Sequence, residues 1–260
     1  MGNVRVDTCG YTGYRPPEGW KERYKSKLQA YSAVFETVEI NQTFYKLPMT
    51  KTARRWREEA FDTMEFQLKA WQAITHRTGS PTWRKRKDKL TQSQLESFGD
   101  LRPNREVRAA WEATRERAQA MQARVCVLQT ASSFECNARN EKNLKKLLGE
   151  IDRGGLALAW EPRGDWNENL DTVRDLCKEL DLIHIVDIMR RSPVSSHPIA
   201  YIRLHGLNRR ETDYRYDYSP EEIRDLASRL KDLAESHDTV YCLFNNDAMF
   251  ENAPSLKERL

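Results

Sequence analysis

Residues 200–206 read AYIRLHG, in which Ile202 and Leu204 alternate with Tyr201, Arg203 and His205. That period of two marks a strand with one apolar and one polar face, and the run stops on an ionisable residue before a glycine. Seven other short strand-like runs, nearly all of them stopping at a polar or ionisable residue, are spread along the chain: VRVDTC (Val4–Cys9), TVEIN (Thr37–Asn41), EFQLKAW (Glu65–Trp71), RVCVLQ (Arg124–Gln129), LALAWEP (Leu156–Pro162), LIHIVD (Leu182–Asp187) and TVYCLFNN (Thr239–Asn246). Helical patterns separate most of them, and strand–helix alternation implies parallel strands joined by crossovers. Eight such units in 260 residues predict an α/β fold, a single closed (β/α)8 barrel of the TIM type over 1–260. In such barrels the functional groups sit where the strands end.

The helical segments agree. Ser219-Pro220-Glu221-Glu222 reads as an N-cap, a proline in the first turn and two acids facing the helix dipole, ahead of Ile223, Leu226, Leu230 and Leu233. Asp165 with Glu168 resembles a capping box before Leu170, Val173, Leu176 and Leu180. Asn104 precedes a stripe of Val107, Trp111, Thr114, Ala118 and Met121, and Gly154-Gly155 closes a helix carrying Leu144, Leu147, Leu148 and Ile151. The link between Asp187 and Ile199 is too short and proline-marked for a helix, so the barrel is expected to be irregular there.

One segment breaks the rhythm. Residues 76–105 form a basic insertion after the third strand, far longer than an ordinary βα loop. Its first part, His76–Leu90, reads HRTGSPTWRKRKDKL, six cations against Asp88 alone, a surplus of five where the whole chain carries +4. The basic excess of the protein is therefore concentrated beside the polar strand ends.

Composition narrows the class. Hydrophobic residues make up 39% and charged residues 32% of the chain, enough to fill one core. No apolar run approaches the roughly 20 residues that span a bilayer. MGNVRVDTCG lacks the apolar centre of a secretory signal. Cys9, Cys126, Cys136, Cys177 and Cys242 are odd in number and contain no CxxC, which reads as reduced thiols in a cytoplasmic protein. Cys9 ends the first strand, but with no adjacent base it reads as a packing residue rather than a nucleophile.

Alternation puts Glu39, Lys69 and Arg203 on the polar faces of their strands, inside the barrel, where each needs a partner. Glu161 and His205 end their strands and read as a general acid/base pair, with Lys69 and Arg203 stabilising an anion between them and with Lys69 and Glu39 as further catalytic candidates. Glu39, Glu161, Asp187 and His205 are the residues placed to hold a divalent metal, but their spacing advertises no such site and two cations share the interior. No cofactor is predicted; HExxH, P-loop and GxGxxG patterns do not occur.

Six ordered segments carry a resemblance: VEINQTFYKLP (Val38–Pro48), LKAWQAITH (Leu68–His76), SPTWRK (Ser80–Lys85), WEPRGDW (Trp160–Trp166), YIRLHG (Tyr201–Gly206) and LFNN (Leu243–Asn246). Together they resemble the YecE-like family, domain-of-unknown-function family seventy-two, and the KAWQAITH and SPTW forms resemble its archaeal branch. The resemblance implies a TIM-type barrel and no established activity. Fold analogy to endonuclease IV and sugar isomerases points to phosphate, nucleic-acid or sugar chemistry. One departure is Cys9-Gly10-Tyr11-Thr12, where bacterial members usually carry GTSGW. Its motifs coincide with the polar strand ends and extend the candidate site to Asn41, Tyr45, Trp71, His76, Arg163, Asn245 and Asn246, with Tyr214 and Tyr218 on the loop after the seventh strand placed to close over a ligand.

Three functions stay open. The first is a hydrolase, nuclease-like, acting on a phosphate-bearing small molecule or single-stranded nucleic acid. Here Arg84, Lys85, Arg86 and Lys87 would grip the backbone while Trp71 and Trp83 stack on bases. The second is a sugar-type isomerase or lyase using Lys69 with Glu161. The third is a non-catalytic ligand- or nucleic-acid-binding module. No protein partner and no membrane are implied. The basic stretch generates its own test. Single-strand DNA or RNA binding should weaken as salt rises, and alanine at Arg84, Lys85, Arg86 and Lys87 should flatten the slope. A wild-type protein without salt-sensitive binding leaves the stretch a solvated loop.

Overall fold

All eight runs form strands, and each pairs in parallel with the next: β1 (Asn3–Thr8), β2 (Thr37–Ile40), β3 (Glu65–Lys69), β4 (Ala123–Gln129), β5 (Ala157–Glu161), β6 (Leu182–Val186), β7 (Ile199–Leu204) and β8 (Thr239–Phe244). β8 closes on β1 in register from Asn3 opposite Thr239 to Thr8 opposite Phe244, completing the TIM-type barrel. These are findings from a computed structural model, which describes residues 2–84, 90–211 and 213–260. No described helix is long and apolar enough to cross a membrane.

Strand alternation divides the interior from the outer shell. Val38, Ile40, Phe66, Leu68, Leu158, Trp160, Ile202 and Leu204 pack outward with the helices in one apolar cluster. Val125, Val127, Ala159, Ile183, Ile185, Tyr201, Tyr241 and Leu243 form a second cluster, which fills the barrel. β3 and β4 slip register between Phe66 and Gln67. The Gln67 side chain spans the irregularity, accepting from the Val125 amide at 2.9 Å and donating to Thr37 Oγ1 at 3.1 Å. A buried backbone donor left bare by the slip is thus satisfied.

The caps hold in part. Both arms of the capping box at Ser219 and Glu222 are present, and helix Pro220–Ala234 buries Ile223, Leu226 and Leu230. Asn104 caps helix Arg105–Ala120 through the Val107 amide. Asp165, by contrast, caps nothing: Gly164–Glu168 is a 3-10 turn, and the carboxylate accepts from the Cys136 amide at 3.0 Å instead. Gly154 and Gly155 also lie beyond their helix, which ends with extended Ile151 as its cap. No helix forms between β6 and β7.

The described parts of the insertion pack rather than project. Pro81–Trp83 forms a 3-10 turn and Gln92–Ser97 a helix started by a Thr91–Gln94 capping box. Trp83, Phe98 and Leu101 enter the outer apolar cluster.

β7 passes into its loop at Gly206, whose φ of 93° is left-handed and where a Cβ would lie 2.3 Å from Tyr216 Cβ. Gly155 has a similar φ of 84° with open space around it. Gly155→Ala is therefore expected to cost only the conformational strain, about 1–2 kcal/mol. Gly206→Ala adds overpacking of about 1–3 kcal/mol. Urea unfolding of both variants checks the difference; equal losses would mean that the Tyr216 contact relaxes freely.

Candidate active site

The upper interior is organised by one side chain. Arg203, on the inward face of β7, is fully buried with its guanidinium between two carboxylates. Nη2 donates to Glu39 Oε1 from β2 at 2.9 Å, and Nη1 donates to Glu161 Oε2 at the end of β5. Tyr201 donates its hydroxyl to the other Glu39 oxygen at 3.0 Å. Glu161 is more crowded still. Gln129 at the end of β4 donates to Oε2 at 2.8 Å, Arg163 donates to Oε1, and His205 Nε2 lies 3.1 Å from Oε1. Burial works to raise this carboxyl, but Arg163, Arg203 and the His205 contact outweigh it and hold it well below the usual carboxylate range. Glu161 is thus a fixed anion at neutral pH.

His205 is neutral at that pH, because burial in cationic company pulls its pKa down to about 4 against the pull of Glu161. The Asn245 amide lies 3.1 Å from Nδ1. Donating there, it leaves the imidazole proton on Nε2, aimed at Glu161.

Lys69, the last residue of β3, stands apart. Its ammonium donates to Gln129 Oε1 at 2.7 Å and sits 4.1 Å from the centre of the Phe44 ring. Among the described residues it makes no ion pair. Burial, then the Arg203 charge, lowers its pKa to about 8 against the attraction of Glu161 and Glu39. His76 lies behind it, its ring 4.9 Å from Phe44, and burial with the nearby Lys69 pulls it down to about 3.

The other predicted residues divide. Asn41 lies at the mouth, donating to the Cys9 carbonyl at 3.0 Å with its oxygen 3.4 Å from Arg203. Tyr45 and Tyr214 are exposed, Tyr45 edge-on to Phe44 and Tyr214 with its ring 5.4 Å from His205. Tyr218 does not close over the mouth: it is buried, and its hydroxyl accepts from the Gly206 amide at 2.9 Å. Asn246 turns from Asn245 and donates to the Tyr216 carbonyl and Asn252. Trp71 packs against Phe98 and Trp83. Trp83 is 1% exposed, stacks on Phe98 and donates to the His76 carbonyl, so it offers no face to a nucleic-acid base. Arg84 is exposed, while Lys85, Arg86 and Lys87 lie outside the described residues.

Cys9 lies buried beside the network. Burial, then Glu39, pushes the Cys9 thiol up. Among the described residues no three His, Cys, Asp or Glu groups converge as ligands would. Asp187 accepts instead from the amides of Met189 at 3.0 Å and His205 at 3.3 Å. Gln129 ends its strand among the polar strand ends and Tyr201 shares the inner face of Arg203, as the sequence reading places them. Arg191 and Glu211 were not among the predicted site residues, and this loop-borne pair carries no periodic signal.

Glu161→Gln removes the shared counter-ion of two arginines, one of them fully buried. Stability should fall by about 3–5 kcal/mol at neutral pH, measured by urea unfolding. Because the folded-state pKa is depressed, the carboxylate's contribution is complete above the unfolded pKa of about 4.3 and fades as pH falls below it. The difference between wild type and variant should therefore shrink in acid. An equally stable variant would show that the network is not structural.

The arrangement has relatives. UPF0759 protein YunF of Bacillus subtilis (strain 168) is 22% identical over 263 residues, covering 92% of this chain and 87% of that protein. The crystal structure of a DUF72 family protein from Enterococcus faecalis V583 superposes with a TM-score of 0.73 at 18% identity, over 99% of this chain and 97% of that one. A D-tagatose 3-epimerase-like protein shares the barrel with a TM-score of 0.58 at 13% identity, over 90% and 92%. The model of the family described as "Protein of unknown function DUF72" matches residues 8–260, and the chain belongs to that family.

Proposed function

We propose that the protein is an acid–base enzyme acting on a carbonyl-bearing, sugar-type small molecule, an isomerase, epimerase or lyase, with Lys69 carrying the proton. One observation supports this above all: a buried amine at a barrel strand end, without a carboxylate partner among the described residues, whose pKa lies near 8. A neutral amine there can take a proton from the carbon beside a carbonyl and return it as an ammonium. Arg163, at the opening, supplies positive potential for the oxygen that gains charge. In this reading Glu161 is the anchor of the cations, not the acid, since four donors occupy its oxygens. His205, neutral and held by Asn245, orients the substrate. The barrel shared with a D-tagatose 3-epimerase-like protein supports the substrate class by fold analogy.

Hydrolysis of a phosphate-bearing or nucleic-acid substrate is the second reading. Its support is the charge of the basic stretch beginning at Arg84, since the indole of Trp83 is enclosed. Placement in the YecE-like, archaeal-type branch rests on KAWQAITH and SPTW, and a cytoplasmic setting on the five thiols.

The test is hydrogen exchange in heavy water. Free and phosphorylated aldoses and ketoses, followed by proton NMR, should lose signal at the carbon beside the carbonyl, with a rate that climbs as pH rises through about 8. Lys69→Met should slow exchange by at least about 100-fold. It should keep or raise the melting temperature, because it removes a buried charge. Exchange that survives Lys69→Met, or none with any sugar, would overturn the proposal.

A further inference from the structure

The loop after β7 returns to the mouth and sets one carboxylate, Glu211, against two guanidiniums. Arg191, from the link after β6, donates to both Glu211 oxygens, through Nη1 at 3.4 Å and through Nη2. Arg163 Nη1 lies 3.4 Å from the same carboxylate, while its Nη2 reaches Glu161 and lies 3.1 Å from His205 Nε2. These are the groups that solvent reaches: the side chains of Arg163, Arg191 and Glu211 are 13%, 26% and 27% exposed, against 1% for Arg203 and 5% for Glu161. Solvent reaches both partners of the Arg191–Glu211 pair, so a solute anion can compete with Glu211 for the two guanidiniums. The root of the loop is held separately, by Arg190 Nη2 donating to the carbonyls of Gly206 at 2.6 Å and Asn208 at 2.7 Å. The Glu211 side chain can therefore leave without the loop opening.

We propose that Arg163 and Arg191 form the recognition subsite for a phosphate ester on the substrate, and that Glu211 occupies that subsite in the free protein. The inference rests on the small-molecule reading above and adds the substrate class, a sugar phosphate. Planar guanidiniums converging from two elements suit a tetrahedral dianion. Charge favours a dianion over a single carboxylate. With Glu211 displaced, Lys69, Arg163, Arg190, Arg191 and Arg203 face Glu39, Glu161 and Asp187, a surplus of two positive charges. A phosphate held there lies next to Arg163, whose other arm touches Glu161, and so presents the rest of the molecule to Lys69 and His205.

Calorimetric titration with inorganic phosphate tests the assignment, with circular dichroism melts to check folding. Glu211→Gln removes the internal competitor, and phosphate should bind at least about fivefold tighter than to wild type. Glu211→Ala should act in the same direction. Adding Arg191→Gln to Glu211→Gln should abolish the gain. A Glu211→Gln protein that binds phosphate no better, or a gain that survives loss of Arg191, would overturn the subsite. So would an equal gain for acetate, which would make it a carboxylate site. Phosphate binding without hydrogen exchange on any sugar would leave the subsite standing and remove the reaction. Exchange on neutral sugars with no gain in phosphate affinity would do the reverse.

Discussion

A guanidinium wholly enclosed in a barrel cannot stand alone, and the upper half of this interior is arranged around that of Arg203. Removing such a charge from water costs several kcal/mol unless good partners meet it. Here Glu39 and Glu161 meet it from β2 and β5. Those carboxylates bring their own demands, which Tyr201, Gln129, Arg163 and His205 satisfy. Below this layer Val125, Val127, Ala159, Ile183 and Ile185 make an apolar floor, beside the hydrogen-bonded Gln67 and Tyr241. The network therefore rests on packed side chains and lies toward the strand ends.

Two carboxylates against Arg203, Arg163 and Lys69 leave one cation in surplus, and geometry decides which. Arg203 and Arg163 both take Glu161, whereas Lys69 takes the neutral amide of Gln129 and the Phe44 face. Because a guanidinium stays charged at all ordinary pH, the adjustable proton falls to the amine. That division of labour, fixed charges on the arginines and a movable one on the lysine, follows from which cation lacks a carboxylate.

The barrel and its inner layer were readable in the sequence because both follow a period. EFQLKAW and AYIRLHG assign Gln67, Lys69, Tyr201 and Arg203 to one side by alternation alone, and the structure puts them there. Departures occur where the chain stops being periodic. Asn245 and Asn246 are neighbours in sequence, yet only Asn245 faces His205; the next side chain turns toward Asn252. Trp83 stands among cations in sequence, which reads as exposure, but the Pro81–Trp83 turn tucks the indole onto Phe98. Asp165 has the right spacing for a cap and is drawn off by the Cys136 amide from a neighbouring loop. Arg191 and Glu211 come from segments with no regular spacing at all, so only the folded chain brings them together.

Arg163 joins these two worlds. One arm is committed to Glu161 in the buried network, the other to Glu211 on a loop that solvent reaches. The inner arm also lies 3.1 Å from His205 Nε2, so this one side chain links the loop carboxylate to the imidazole. A single planar cation, engaged on both sides, thus ties the solvent-facing loop to the buried network.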